Sequence, residues 1–173
     1  MCIRDSYSIF DLKIRVVGSK IYKVKNIQVN LLGDHNVTNA TASIAIALNL
    51  GIKIRIIKNA LKKFSGIQRR FTKVFSIDNR DFYDDYAHHP TEIRSTFDAI
   101  KSGWPGRRLV VIYQPHRFTR MRDLFEDFSD ILSQTDRLMI FDVYPAGEEA
   151  IPGSDGRSLC RAIRTRGKAD PIF

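Results

Sequence analysis

The sequence predicts an α/β fold, and three observations carry that expectation. Apolar and polar residues alternate through residues 9–32, the period then becomes helical, and beyond residue 72 strand-like and helix-like segments take turns. Alternation at period two fits strands with one face toward a core. Strands and helices in turn fit an open, mostly parallel sheet carrying helices.

The segments "IFDLKIRVVG", "KIYKVK" and "IQVNLLG" read as strands, with Gly18 and Asn26 as turn signals. "NATASIAIALNL", residues 39–50, is small and apolar, suited to close helix packing, and Gly51 is its C-terminal stop. "IRIIKNALKKF" follows as a second helix, with Ile57, Leu61 and Phe64 at helical spacing. "SGIQRR" breaks the pattern and places a domain boundary near residues 65–72, between segments 1–69 and 70–173.

"FTKVFSI" and "RDFYDDY" read as strands. Pro90 suits the first position of a helix bearing Ile93, Phe97 and Ile100, because proline lacks the N–H that would be orphaned there. "RRLVVIYQ" and "RLMIFDV" are continuous apolar runs expected of buried strands. Between them, Thr119 is a candidate cap for a helix with the stripe Leu124, Phe125, Phe128, Ile131 and Leu132. "YPAGEEAIPGSDG" is a loop, "RSLCRAIRTRG" a last helix, and "DPIF" reads as a strand beginning, so the sheet is expected to be incomplete.

Composition narrows the function. The chain has 173 residues, is 43% hydrophobic and 27% charged, and carries a formal charge of +9. That suits a globular protein with a real core and anionic ligands. No run approaches a membrane span, and Arg4 and Asp5 interrupt anything resembling a signal peptide. Cys2 and Cys160 match no metal spacing, so a reducing cytoplasm is expected. The basic stretches "KIRIIKNALKK" and "RAIRTRGK" read as solvated helix faces or as phosphate-tracking patches.

All four histidines fall where a strand hands over to a helix: His35 in "GDHN", His88 and His89 in "DDYAHHP", and His116 in "QPHR". In open α/β sheets that edge holds the ligand crevice, and helix N-termini there attract anions. Structural readings stand beside the functional one: Asp34, Asn36 or Thr38 as helix caps, Asp84 or Asp85 as a turn residue, His89 as a cap, and "QRR" as an exposed linker. Two arginines at a strand mouth, Arg117 and Arg120, suit a planar carboxylate or phosphate. Adjacent histidines in extended chain point to opposite faces, no H-E-x-x-H or C-x-x-C occurs, and no metal site is expected. No G-x-S-x-G elbow supports a hydrolase.

Taken in order, "GDHNVTNA", "GIQRRF", "DDYAHHPTEI", "QPHRFTR" and "DVYPAGEEAIPG" resemble the Mur ligase family, from about residue 9 onward. The last two motifs resemble those of members that add L-alanine to UDP-N-acetylmuramate. The resemblance implies the end of a central ATPase domain followed by most of a Rossmann-like C-terminal domain. No G-x-x-x-x-G-K-[ST] segment occurs, so the chain is expected to be a fragment, inactive alone, with the magnesium ligands elsewhere.

The resemblance, and it alone, also implies roles for individual residues. His35, Asn36 and Asn39 look like the base side of an ATP site, Arg70 like the arginine that reaches ATP phosphate, and Asp85 like the carboxylate on the ribose. Tyr86, His88, His116, Arg117 and Arg120 resemble the lining of the substrate and amino-acid pocket, with His88, His116 and Arg70 as catalytic candidates. The implied reaction is ATP-dependent amide formation through an acyl phosphate, with Mg2+ as cofactor. No nucleic acid or membrane partner is expected. The competing reading is a stand-alone nucleotide- or nucleic-acid-binding α/β module, which the missing aromatic–basic interleaving weakens.

Overall fold

The computed structural model describes residues 2–4, 7–15 and 21–173, and its described elements alternate as an α/β chain. It divides into two compact units, one of residues 1–86 with 95–105, the other of residues 87–94 with 106–173.

The first unit opens with an antiparallel sheet of β1 (Cys2–Arg4), β2 (Tyr7–Arg15) and β3 (Ile21–Val29). The expected turn at Gly18 lies outside the described residues. The expected turn at Asn26 is a bulge instead: "KIYKVK" and "IQVNLLG" share one strand, and the register slips between Phe10 and Leu12 of β2. Asn26 takes φ 54°, a left-handed angle that asparagine tolerates, and its N–H donates to Asp11 Oδ1 at 2.8 Å. The slip keeps Phe10, Val24, Ile27 and Val29 in the core.

Helix α1 (Asp34–Asn49) begins five residues before the expected start and lays Ala40, Ile44 and Leu48, spaced by four, on that core. Ile44 is fully buried, and burying such a side chain is worth about 1.5–3 kcal/mol. Gly51, at φ +77°, ends the helix as expected: its N–H reaches Leu48 O while Ile52 N–H reaches Ala47 O, the paired closure that a left-handed glycine permits. Helix α2 (Ile54–Lys63) adds Ile57.

Strands β4 (Thr72–Ile77) and β5 (Arg80–Asp84) pair with each other, antiparallel, across Asp78 and Asn79, both at positive φ. Two left-handed residues in the turn match the twist of the flanking strands. Phe71 stacks on Tyr83 at 4.4 Å, beside Trp104. Helix α3 (Pro90–Gly103) starts at the proline, and Ile93 and Phe97 are buried while Ile100 is half-buried.

In the second unit, β6 (Val110–Tyr113) and β7 (Arg137–Ile140) pair in parallel, and Ile172 bridges to Met139 in the same sense. The "DPIF" segment therefore begins a strand interaction, as expected. The two apolar runs are not buried on both faces, however. Partners across a parallel pair share a face, and Tyr113, Leu138 and Ile140 face inward while Val110 and Ile112 are 55% and 60% exposed.

The expected single helix after "QPHR" is two, α4 (Phe118–Asp123) and α5 (Phe125–Leu132), split at Leu124 with φ −121°. Of the predicted stripe, Phe128, Ile131 and Leu132 are buried, whereas Leu124 and Phe125 are half-buried; Met121 takes the core position in α4. Helix α6 (Gly156–Thr165) packs Leu159 and Ile163 inward, against α5 and β7. Asp155 caps it, accepting from Ser158 N–H at 2.7 Å. Burial works against the Asp155 carboxylate, but the Ser158 amide and hydroxyl hold its pKa below the usual range.

Candidate functional site

The candidates divide between the two units. His35, Asn36, Asn39, Arg70, Asp85 and Tyr86 belong to the first, and His88, His116, Arg117 and Arg120 to the second.

In the first unit, α1 begins at Gly33 without any side-chain cap, so neither Asp34, Asn36 nor Thr38 caps it. Asn36 instead sends its amide back to Leu32 O at 2.8 Å, and Thr38 returns its hydroxyl to Asp34 O. Asn39 is exposed. Burial lowers the His35 pKa, against the opposing fields of Asp85 and Asp34, which favours a neutral imidazole at pH 7. Asp85 accepts the Thr96 hydroxyl at 2.6 Å, which ties it to α3. Arg70 donates its N–H to Ile67 O. Its neighbour Arg69, absent from the sequence-derived candidates, lies 5.2 Å over the Tyr86 ring and 3.5 Å from Asp84. Arg69 O accepts the Tyr86 N–H at 2.7 Å.

In the second unit the parallel pairing continues past the strand ends. His116 bridges Tyr144, Tyr144 N–H donates to Pro115 O at 2.8 Å, and Arg117 N–H donates to Tyr144 O at 2.9 Å. This zipper holds the C-terminal ends of β6 and β7 together, the edge where open α/β sheets bind ligands. The Tyr144 ring stacks on His116 at 5.3 Å, and His88 approaches His116 from the other chain segment at 5.8 Å between centroids. Arg120 Nη1 lies 3.2 Å from His116 Nδ1 and donates to His116 O at 3.1 Å.

Burial, then the fields of Arg120, His88 and Arg117, depress the His116 pKa; Glu148 opposes them. A pKa below the usual 6.5 favours the neutral imidazole at pH 7. With Arg120 presenting N–H groups to Nδ1, that nitrogen is an acceptor and Nε2 carries the proton in the neutral ring.

The second histidine of the pair does structural work. His89 Nδ1 accepts the Thr91 N–H at 3.3 Å, and Glu92 reaches back to the N–H groups of His88 and His89. That is a reciprocal cap for α3. Glu92 also stands 3.6 Å from His88 Nδ1 and so orients the ring.

Thr119 does not cap α4. Arg117 occupies the cap position at φ 72° without a side-chain cap bond, and Glu148, 29 residues on, supplies the acceptor. Its carboxylate takes the Thr119 N–H at 2.9 Å and the hydroxyl at 2.8 Å, and stands 3.7 Å from Arg117 Nη1. The Thr119 bonds hold its pKa below the usual carboxylate range. Glu148, Tyr144, Glu92 and Arg69 were not among the sequence-derived candidates. The only signal for the first two was the motif "DVYPAGE", which by itself assigns no role to either residue.

Among the described residues, no three His, Cys, Asp or Glu side chains could hold a metal ion. These residues do not fit a magnesium site. No described helix is long and apolar enough to cross a membrane.

Residues 69–172 match the family model described as Mur ligase, glutamate ligase domain. The chain is 52% identical over 151 residues to UDP-N-acetylmuramate–L-alanine ligase of Methylococcus capsulatus, covering 85% of the chain and 32% of that protein. The crystal structure of UDP-N-acetylmuramate–alanine ligase from Thermotoga maritima superposes with a TM-score of 0.68 at 27% identity, over 96% of this chain and 37% of that one. A folylpolyglutamate synthase from Mycobacterium tuberculosis gives 0.64 at 15% identity over 96% of this chain and 38% of that one, a likeness of fold alone. The chain thus spans about a third of the length of the relatives it matches.

Proposed function

Because the chain belongs to the Mur ligase family, we propose that it carries the amino-acid side of an ATP-dependent ligase joining L-alanine to UDP-N-acetylmuramate, a step toward peptidoglycan. Its segments 1–69 and 70–173 are read as the end of a central ATP-binding domain and a C-terminal domain, the whole acting in the cytoplasm. The observation that supports this most is the meeting of His88, His116, Arg117 and Arg120 at one strand edge, around an imidazole whose pKa burial and its neighbours lower.

Each residue has work to do in that reading. An amino acid arrives as a zwitterion, and amide formation needs its carboxylate held and its ammonium deprotonated. Arg117, half-exposed, and Arg120 supply the cations for the carboxylate. Arg120 also fixes the His116 ring, whose stacking on Tyr144 limits rotation. A histidine with a lowered pKa can take the ammonium proton at neutral pH on Nδ1, the nitrogen that carries none, once Arg120 turns from it toward the carboxylate. His88, oriented by Glu92, closes the other side.

In this reading Asp85 and a neutral His35 receive hydroxyl and N–H donors of a nucleoside, while Arg70 offers its charge to phosphate; the lowered His35 pKa supports the first of these roles. ATP, when bound, supplies the phosphoryl group that activates the muramoyl carboxylate as an acyl phosphate. No step is assigned to magnesium.

The test is a chimaera in which this chain replaces the corresponding segment of the Methylococcus capsulatus relative, assayed for phosphate release that depends on L-alanine. Arg117→Ala is expected to raise the KM for L-alanine on the order of tenfold, as for loss of one charge-assisted contact. Unchanged kinetics would remove Arg117 from the site.

A further inference from the structure

Arg117 is held in a backbone conformation that a non-glycine residue rarely adopts, φ 72° and ψ 132°. Such a conformation persists only where the surroundings over-determine it, and it clusters at ligand sites. Here one loop holds it at both ends. The Arg117 N–H is bound by Tyr144 O at 2.9 Å, and its guanidinium stands 3.7 Å from Glu148 of the same loop. The loop itself turns through two left-handed residues, Ala146 at 51° and Gly147 at 85°, and that turn delivers Glu148 back to α4.

The geometry points to Glu148 as a positioning residue for the arginines that receive the carboxylate: by clamping Thr119 and drawing on the Arg117 guanidinium, it sets the direction in which both arginines face a ligand. This rests on the amino-acid-binding reading above. The Thr119 amide and hydroxyl are both bound to the carboxylate, so the first turn of α4 cannot rotate without breaking two bonds. Arg120 leaves that same turn and reaches back to His116 O and Nδ1, so its aim depends on the turn's orientation. At 3.7 Å the Arg117 contact is too long for a hydrogen bond, so it biases the guanidinium without consuming its donors. About half of the Arg117 side chain remains accessible to a ligand.

A simple charge role and a positioning role predict opposite signs. If Glu148 only neutralises its neighbours, Glu148→Gln adds net positive charge to an anion site and tightens carboxylate binding. If it positions them, the same change weakens binding despite the added charge.

The experiment uses the 173-residue chain, wild type and Glu148→Gln, titrated with L-alanine and, separately, with acetate, followed by NMR of the His116 and arginine side-chain signals. Thermal unfolding identifies any loss of fold. Glutamine keeps the length and one acceptor oxygen, so the variant is expected to remain folded. The expected result is about tenfold weaker L-alanine binding and a more mobile Arg117 guanidinium in the free variant. Equal or tighter L-alanine binding overturns the proposal, as does an Arg117 guanidinium equally mobile in both proteins. If wild type ignores L-alanine, the amino-acid reading of this chain fails, while guanidinium mobility in the free proteins still decides for or against Glu148. If Glu148→Gln does not fold, Glu148→Asp gives the same readout with the charge retained and the reach shortened; it is expected to loosen Arg117, and an undisturbed guanidinium counts against the proposal.

Discussion

Tyr113 ends β6 with its ring 5.8 Å from that of Phe128 and only 6% of its surface exposed, and its hydroxyl has no hydrogen-bond partner among the described residues. Burial pushes the phenol pKa well up, against a small opposing effect from Arg120. A buried hydroxyl lacking a partner costs about 1–3 kcal/mol, while the ring beside it contributes apolar burial. Tyr113→Phe removes only the hydroxyl, and should stabilise the second unit by about 1–2 kcal/mol. Because the chain has two compact units, a global melting curve can blur a local change. Amide exchange at Phe141 is the sharper probe, since its N–H donates to Tyr113 O at 2.9 Å across the parallel pair. Under conditions where exchange reports the opening equilibrium, protection should rise about five- to thirtyfold. Tyr113→Leu serves as the control, losing aromatic packing and protection together. A fall in protection in Tyr113→Phe would show that the hydroxyl makes a bond in solution, to buried water or a moved Arg120, and would refute its being an orphaned group.

Two other outcomes rest on the same geometry. Gly33 sits at φ +94°, and a Cβ there would lie 2.8 Å from His35 Cε1 and 2.9 Å from Ala99 Cβ. Gly33→Ala should therefore lower the unfolding free energy of the first unit by about 1–3 kcal/mol, seen as a lower denaturation midpoint, and displace the His35 ring; an unchanged midpoint with an unmoved ring signal counts against the close approach. Both His35 and His116 have folded pKa values below the usual 6.5, so between that value and the folded one the unfolded chain binds more protons. Stability should fall as pH drops below about 6.5, by at most about 1.4 kcal/mol per pH unit for each histidine, with the His116 share reduced by solvent screening. The groups acting on His116 are Arg120, His88, Arg117 and Glu148, and those on His35 are Asp34 and Asp85. Urea midpoints between pH 7.5 and 5.5 for wild type and His35→Gln check the sign; a midpoint that rises on acidification in wild type contradicts it.

How much of the fold was legible in the residues depended on range in sequence. Local chemistry read well: Pro90 opened α3, Gly51 closed α1, and the histidines fell at strand-to-helix junctions, His88, His89 and His116 before their helices and His35 in the first turn of α1. Positions decided by a partner far along the chain read badly. Asn26 has the composition of a turn residue, and only the register against Asp11, fifteen residues earlier, makes it a bulge. "VVIY" is apolar throughout, and nothing local says that Val110 and Ile112 face outward while Tyr113 faces Phe128.

The same limit explains why the candidate site was recognised as a set of cations and histidines but not as a held geometry. Thr119 has the right chemistry for a cap, and its place at the head of a helical stripe suggested that it would serve as one. The fold instead gives that task to Glu148 and makes Thr119 the group that is held, which frees the cap position for an arginine in a strained conformation. A local cap would have fixed α4 alone. A cap delivered from the loop after β7 ties α4 to the neighbouring strand's exit, so the arginines on one segment and the Tyr144 ring that steadies His116 on the other keep a common frame. For the proposed amino-acid site, which would hold a carboxylate and receive a proton a few ångströms away, such coupling is a gain, because a small error in either segment would separate the two tasks.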